Sequence, residues 1–113
     1  IVLMGLRAIL VEWGYDVVIA GTPDMALDRL REDGRRPDIV ISDYRLRDGR
    51  VGTEVILRVR ELAGHDIPGV ILTGETGPEC QDDAARHGLR VVYKPVTPRQ
   101  LGAALEEQMG AAE

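Results

Sequence analysis

Apolar residues recur along the chain with two periods, and the alternation between them sets the order of elements. In "IVLMGLRAILVEWG", Val2, Leu6, Ile9, Leu10 and Trp13 stand three or four apart, which is one face of a helix, and Gly14 suits its end. "DVVIA", residues 16–20, is a short β-branched run that predicts a strand. In "TPDMALDRLREDG" Thr22 stands at the N-cap, Pro23 at the first helical position and Gly34 just past the end. "PDIVISD" (37–43) shows almost no alternation, as expected of a strand covered on both faces. "GTEVILRVREL" (52–62) is helical, with Val55, Val59 and Leu62 along one side, and "IPGVILTG" (67–74) is a third strand ending at Thr73 and Gly74. "GPECQDDAARHG" opens on Pro78 and closes on Gly88 as a short helix, and "LRVVYKP" is a fourth strand cut by Pro95. The last helix, "TPRQLGAALEEQM", starts on Thr-Pro and carries Leu101 and Leu105 one turn apart.

The order is αβαβαβαβα. Strands alternating with helices predict an α/β fold: a parallel sheet wrapped on both sides, with right-handed crossovers. A length of 113 residues, 44% of them hydrophobic, fits one domain with a core, taken as spanning 1–113. The first residue is Ile1, so the chain reads as a fragment of a longer protein. Fourteen basic against 19 acidic residues, net −5, argue against binding to nucleic acid or to an anionic membrane surface. The single cysteine, Cys80, permits neither an internal disulfide nor a cysteine-based zinc site and suits a reducing compartment. No apolar run approaches a membrane span and no signal-peptide pattern appears, which makes a cytoplasmic domain the expectation.

Parallel strands bring their carboxyl ends together, and those ends carry the chemistry. Asp43 closes the second strand, Thr73 and Gly74 the third, and Lys94 the fourth. Taken singly, each has an ordinary explanation: aspartate favours turns, threonine is β-branched, and lysine before proline is a solvated edge charge. Together they place a carboxylate, a hydroxyl and an ammonium at one edge of the sheet. A carboxylate nucleophile can attack a phosphoryl group to give an acyl phosphate. Its charge then calls for a cation and hydrogen-bond donors, roles open to Mg²⁺, Lys94 and Thr73, while Gly74 leaves room for entry.

The segments "PDIVISDYRLRDG", "IPGVILTGET" and "GLRVVYKPVTPRQL" resemble the three signature segments of response-regulator receiver domains, the phosphoacceptor modules of two-component signalling. The resemblance runs from the first helix to the last, and the wording of the first and third segments is most similar to receivers of hybrid sensor histidine kinases. It implies a flavodoxin-like doubly wound sheet with strand order 2-1-3-4-5. It also implies that Asp43 accepts a phosphoryl group from a histidine kinase or a histidine phosphotransfer domain, with Mg²⁺ as cofactor. Asp43 and the backbone carbonyl of Arg45 would serve the metal, and Thr73, Gly74 and Lys94 the phosphoryl group. Thr73 would also move in a switch of the partner-binding surface, and homodimerisation through the last helices and strands is open to such a domain.

Some positions depart from the family pattern. Receivers begin with a strand ending in an acidic pair that completes the metal site, whereas this sequence starts in what reads as the first helix, leaving four strands of five. The switch position three before Lys94, aromatic in many receivers, is Val91, and Tyr93 points the same way by strand alternation. Arg47 stands where proline is frequent, leaving that loop freer in φ. Arg45 and Glu75, each two residues past a site residue, flank the pocket as candidates for tuning acyl-phosphate lifetime. His65 and His87 read as solvated surface residues, and Trp13 as core ahead of a partner-facing anchor. The alternative reading is a phosphorylation-independent pseudo-receiver acting as an interaction module. A flavodoxin-like ligand binder would need a phosphate loop that the sequence lacks.

Overall fold

The computed structural model describes residues 2–34, 37–46, 49, 51–75 and 77–111, which leaves Arg47 outside the described residues. The chain forms two compact units, 1–35 and 36–113.

The first unit contains α1 (Val2–Glu12) and α2 (Pro23–Asp33). Both ends of α2 close as their residue types dictate. Thr22 is extended at φ −136°, its hydroxyl accepts from the Met25 N–H at 3.2 Å, and Pro23 follows where no N–H is needed. At the other end Gly34, at φ 71°, donates its N–H to the Leu30 carbonyl at 3.1 Å. Leu10 and Leu27 are buried, whereas Trp13 lies beyond the last residue of α1 and is 43% exposed, so it is not a core residue.

Residues 16–20, expected as a strand, are neither helix nor strand. Composition fits the segment for a sheet, but a strand exists only through a neighbour's N–H and C=O groups. The Ile19 carbonyl instead accepts a hydrogen bond from the Arg29 guanidinium on α2, and Val18 is 49% exposed.

The second unit runs β1 (Val40–Asp43), α3 (Gly52–Ala63), β2 (Gly69–Thr73), α4 (Pro78–Arg86), β3 (Arg90–Tyr93) and α5 (Pro98–Ala111). Its strands form a parallel sheet in the order β1-β2-β3, so three of the four expected strands are present among the described residues. Central β2 is buried at every residue, which accounts for its unbroken apolar run. Ile71 of β2 joins Ile56, Cys80, Ala84, Leu89 and Tyr44 in one core cluster, and α5 packs Leu101, Ala104 and Leu105 inward. On α3 the buried stripe is Gly52, Thr53, Val55, Ile56, Val59 and Ala63. Leu62 lies at the margin of that stripe, about 20° beyond Val55, and is 40% exposed, contrary to expectation.

Candidate functional site

Strand register delivers the candidate residues to one edge. Asp43 pairs with Leu72 and Thr73 with Tyr93, and both ladders run one bond further. The Tyr44 N–H donates to the Leu72 carbonyl and the Lys94 N–H to the Thr73 carbonyl, each at 2.8 Å. With both ladders held that far, the side chains of Asp43 and Lys94 meet: Lys94 Nζ is 2.9 Å from Asp43 Oδ1. The two are 50% and 40% exposed, so a reactant can reach them from solvent. Thr73 is buried at 3% exposure, and its hydroxyl accepts from the Glu75 N–H at 3.0 Å and also hydrogen-bonds the side chain of Cys80. Beside it Gly74 is open, with nothing within 4 Å of where a Cβ would stand. The sheet edge therefore offers a reachable carboxylate, an ammonium in contact with it, a hydroxyl on the next strand and free space.

The turn that carries Asp43 is held tightly. The Gly52 N–H donates to the Tyr44 carbonyl at 2.6 Å, and Arg45 faces Val51 in an antiparallel bridge. A Cβ on Gly52 would lie 2.1 Å from the backbone oxygen of Asp43 and 2.7 Å from the Ser42 hydroxyl, so only glycine fits. Sequence reasoning passed over this residue; its signal was a glycine opening a helical pattern nine residues after the candidate nucleophile.

Arg45 and Glu75, placed by sequence on either side of the pocket, are directly joined. Arg45 Nε donates to Glu75 Oε1 at 2.6 Å, and its Nη2 reaches Glu75 Oε2 at 3.3 Å and Glu79 Oε2 on α4 at 3.2 Å. The hydrogen bond from Arg45 holds the Glu75 carboxyl below its usual range, and that carboxylate in turn raises the Arg45 guanidinium. Tyr44, 2% exposed, donates to Asp83 Oδ2 at 3.3 Å, and burial, followed by the Asp83 charge, raises its phenol above the ordinary value. Thr53 donates to the same oxygen at 2.7 Å, and His87 Nε2 lies 3.8 Å from Asp83 Oδ1. His87 is thus half-buried beside a carboxylate rather than a solvated surface residue, while His65 is exposed. Glu79, Asp83 and Thr53 were not foreseen.

Val91 is partly buried against the core cluster. Tyr93, two residues on, accepts a hydrogen bond on its hydroxyl from Gln81 of α4. Position 91 accordingly presents no aromatic ring to the site.

Asp43 is a hard oxygen donor, but among the described residues no group of three or more histidine, cysteine or acidic side chains could hold a metal ion. One carboxylate and the Arg45 carbonyl fall short of the roughly six oxygens that Mg²⁺ takes, so the described residues do not by themselves make its site.

A parallel α/β sheet with a lysine-paired aspartate at its carboxyl edge defines a doubly wound domain whose ligand side is that edge. The family model for the response regulator receiver domain matches residues 1–106, and the chain belongs to that family. It is 31% identical over 105 residues to the transcriptional regulatory protein ZraR of Escherichia coli O157:H7, covering 92% of this chain and 23% of that regulator. Among solved structures it is similar to a CheY-like receiver domain from Methanospirillum hungatei JF-1, with TM-score 0.80, 25% identity, and 97% and 86% of the two chains covered. It is similar also to the chemotaxis protein CheY4 of Vibrio cholerae, with TM-score 0.81, 27% identity, and 95% and 88% covered. The flavodoxin-like α/β fold is that of these receivers.

Proposed function

We propose that Asp43 is the phosphoacceptor of this receiver and takes its phosphoryl group from a phosphohistidine on a histidine kinase or phosphotransfer domain. The observation that carries the reading is the 2.9 Å pair between Asp43 and Lys94, at the carboxyl ends of the two strands that flank β2. A carboxylate oxygen of Asp43 attacks phosphorus, the N–P bond breaks, and the imidazole keeps the electron pair and a proton taken from solvent. The product is an acyl phosphate. Lys94, already in contact with the carboxylate, moves to a phosphoryl oxygen, and Thr73 turns its hydroxyl proton to another. Space at Gly74 admits the group. Arg45 and Glu75 border the route by which water reaches phosphorus and set how long the acyl phosphate lasts.

Receivers generally bind Mg²⁺ at their acidic site, and the reading assigns this one the same requirement, with Asp43 and the Arg45 carbonyl as two of the ligands. It places the domain in the cytoplasm; no helix among the described residues is long and apolar enough to cross a membrane. The test is to incubate the protein carrying this domain with acetyl phosphate, with and without Mg²⁺, and to measure intact mass, with Asp43→Asn alongside. Gain of one phosphoryl group, absent in the variant and without Mg²⁺, is the expected result. A folded protein that gains none is instead a phosphorylation-independent interaction module, the reading that the sparse metal-ligand set among the described residues favours.

A further inference from the structure

The two residues directly after Asp43 both reach across to α4. Arg45 donates to Glu79 at 3.2 Å and Tyr44 to Asp83 at 3.3 Å. Glu79 and Asp83 are spaced by four, so they line one side of the helix, with His87 at its C-cap 3.8 Å from Asp83, and Thr53 meets Asp83 from α3 at 2.7 Å. The two gripping side chains also touch each other, with the Arg45 guanidinium carbon 5.2 Å from the centre of the Tyr44 ring. On its other side α4 holds Tyr93 through Gln81 and borders a groove of about 580 Å³ shared with α5, lined by Gln81, Ala85, Tyr93, Arg99 and Ala103.

We propose that Tyr44 and Arg45 form a two-point clasp on α4, and that this clasp, rather than an aromatic side chain at position 91, passes the phosphorylation state of Asp43 to α4 and to the groove beside it. The proposal rests on the reading of Asp43 as phosphoacceptor. The two points differ in strength. Glu79 is 71% exposed and Arg45 52%, so their ion pair is solvent-screened and readily exchanged. Asp83 is only 22% exposed and holds two hydroxyl donors, each on a residue 2% exposed, so the second point is the firm one. A phosphoryl group on Asp43 adds up to two negative charges next to Tyr44 and Arg45 and offers the guanidinium oxygens it binds at least as well as carboxylate. Arg45 then leaves Glu79 for the phosphoryl group, and the first turn of α4 is released while Asp83 still tethers the next. At position 91 the side chain is a valine packed against the core, with no polar atom to report the change.

Tyr44→Phe combined with Glu79→Gln opens both points on α4 by near-isosteric changes and leaves the Arg45–Glu75 pair in place. Amide hydrogen exchange, followed by mass spectrometry in the protein carrying this domain, reads α4. Acetyl phosphate with Mg²⁺ supplies the phosphoryl group, and intact mass gives its occupancy in the same samples. Phosphorylation of the wild type should speed exchange in the first turn of α4 by about tenfold; the unphosphorylated double variant should exchange at least that fast and respond by less than about twofold. Exchange in α5 should stay constant throughout. Glu79→Gln alone, a change on an exposed side chain, should exchange about as fast as the phosphorylated wild type and keeps the test open should the double variant fold poorly. An unphosphorylated variant as slow as the wild type, or a phosphorylated wild type with α4 unaltered, overturns the clasp alone. Failure of the wild type to gain a phosphoryl group overturns the phosphoacceptor reading and the relay with it.

Discussion

The two units differ in how much of their apolar surface is buried. In residues 1–35 the buried apolar side chains among those described are Leu10 and Leu27, while Val11, Trp13, Val18 and Met25 stand between 43% and 53% exposed. In residues 36–113, β2, with a strand on each side, is buried at all of its positions, and β1 and β3, each with one neighbour among the described residues, only in part. Burial follows pairing. Helices α1 and α2 satisfy their backbone hydrogen bonds internally apart from the caps, and at 11 residues each they draw the rest of their stability from packing. A strand has no such internal bonding.

The sharpest test of that difference substitutes a β-branched residue in each unit. Ile71, fully buried in β2, should cost about 4 kcal/mol when changed to alanine, because both the transfer free energy and the filled volume are lost. Val18→Ala, at a side chain 49% exposed, should stay within about 0.5 kcal/mol. Urea unfolding of the two variants measures both. A cost above about 1 kcal/mol for Val18→Ala would break the comparison, since it would mean that the 16–20 segment is covered in solution.

Glycines give the next contrast. Gly52→Ala forces a Cβ to 2.1 Å from the Asp43 carbonyl oxygen, a backbone atom that cannot rotate away, and should cost about 3 kcal/mol while slowing phosphorylation at Asp43. Gly21→Ala meets nothing within 4 Å and should be neutral to about 0.5 kcal/mol. Thermal melts with a parallel phosphorylation assay separate the two effects at position 52. Smaller again is the cap of α2. Thr22→Ala removes the acceptor for the Met25 N–H and should cost about 1 kcal/mol, whereas Thr22→Asn should restore most of it, as helix content by circular dichroism would show.

What was legible in the sequence divides along the same line. The caps at Thr22, Pro23 and Gly34 are local chemistry, and they appear where residue type places them. The three strands of the second unit were legible because each centres on a short apolar run bounded by turn residues, and parallel order alone then gathered Asp43, Thr73 and Lys94 at one edge. The strand expected at 16–20 failed because composition shows that a segment can join a sheet, not that a neighbour awaits it. Trp13 was assigned to the core on spacing that holds only while the helix continues, and α1 ends one residue earlier. The grips of Arg45 on Glu79 and of Tyr44 on Asp83 join residues 34 and 39 apart, with no period or motif to link them. Gly52 was missed for a related reason, since its role is an approach to a backbone oxygen, and no side-chain pattern records one.

The smallest expected effect is a pH dependence, and it too belongs to the second unit. Cys80 is 1% exposed in the core cluster, and burial, which disfavours the thiolate, pushes its thiol up from the ordinary value of 9.0. The unfolded chain releases that proton first as pH rises. The contribution of the buried thiol is therefore fully present below about pH 9 and is lost as pH climbs from there towards the higher folded value. Tyr44 adds a loss of the same sign, beginning from its own ordinary value of 10.0. Measured by urea unfolding at about pH 8 and pH 10, the wild type should lose more stability across the interval than Cys80→Ala, although the variant starts lower because it leaves a cavity. Equal losses in the two proteins would show that Cys80 ionises as readily folded as unfolded, and so that the cluster around Ile71 admits water. In that case the second unit's core would be less dry than its burial implies, and the contrast with residues 1–35 would narrow.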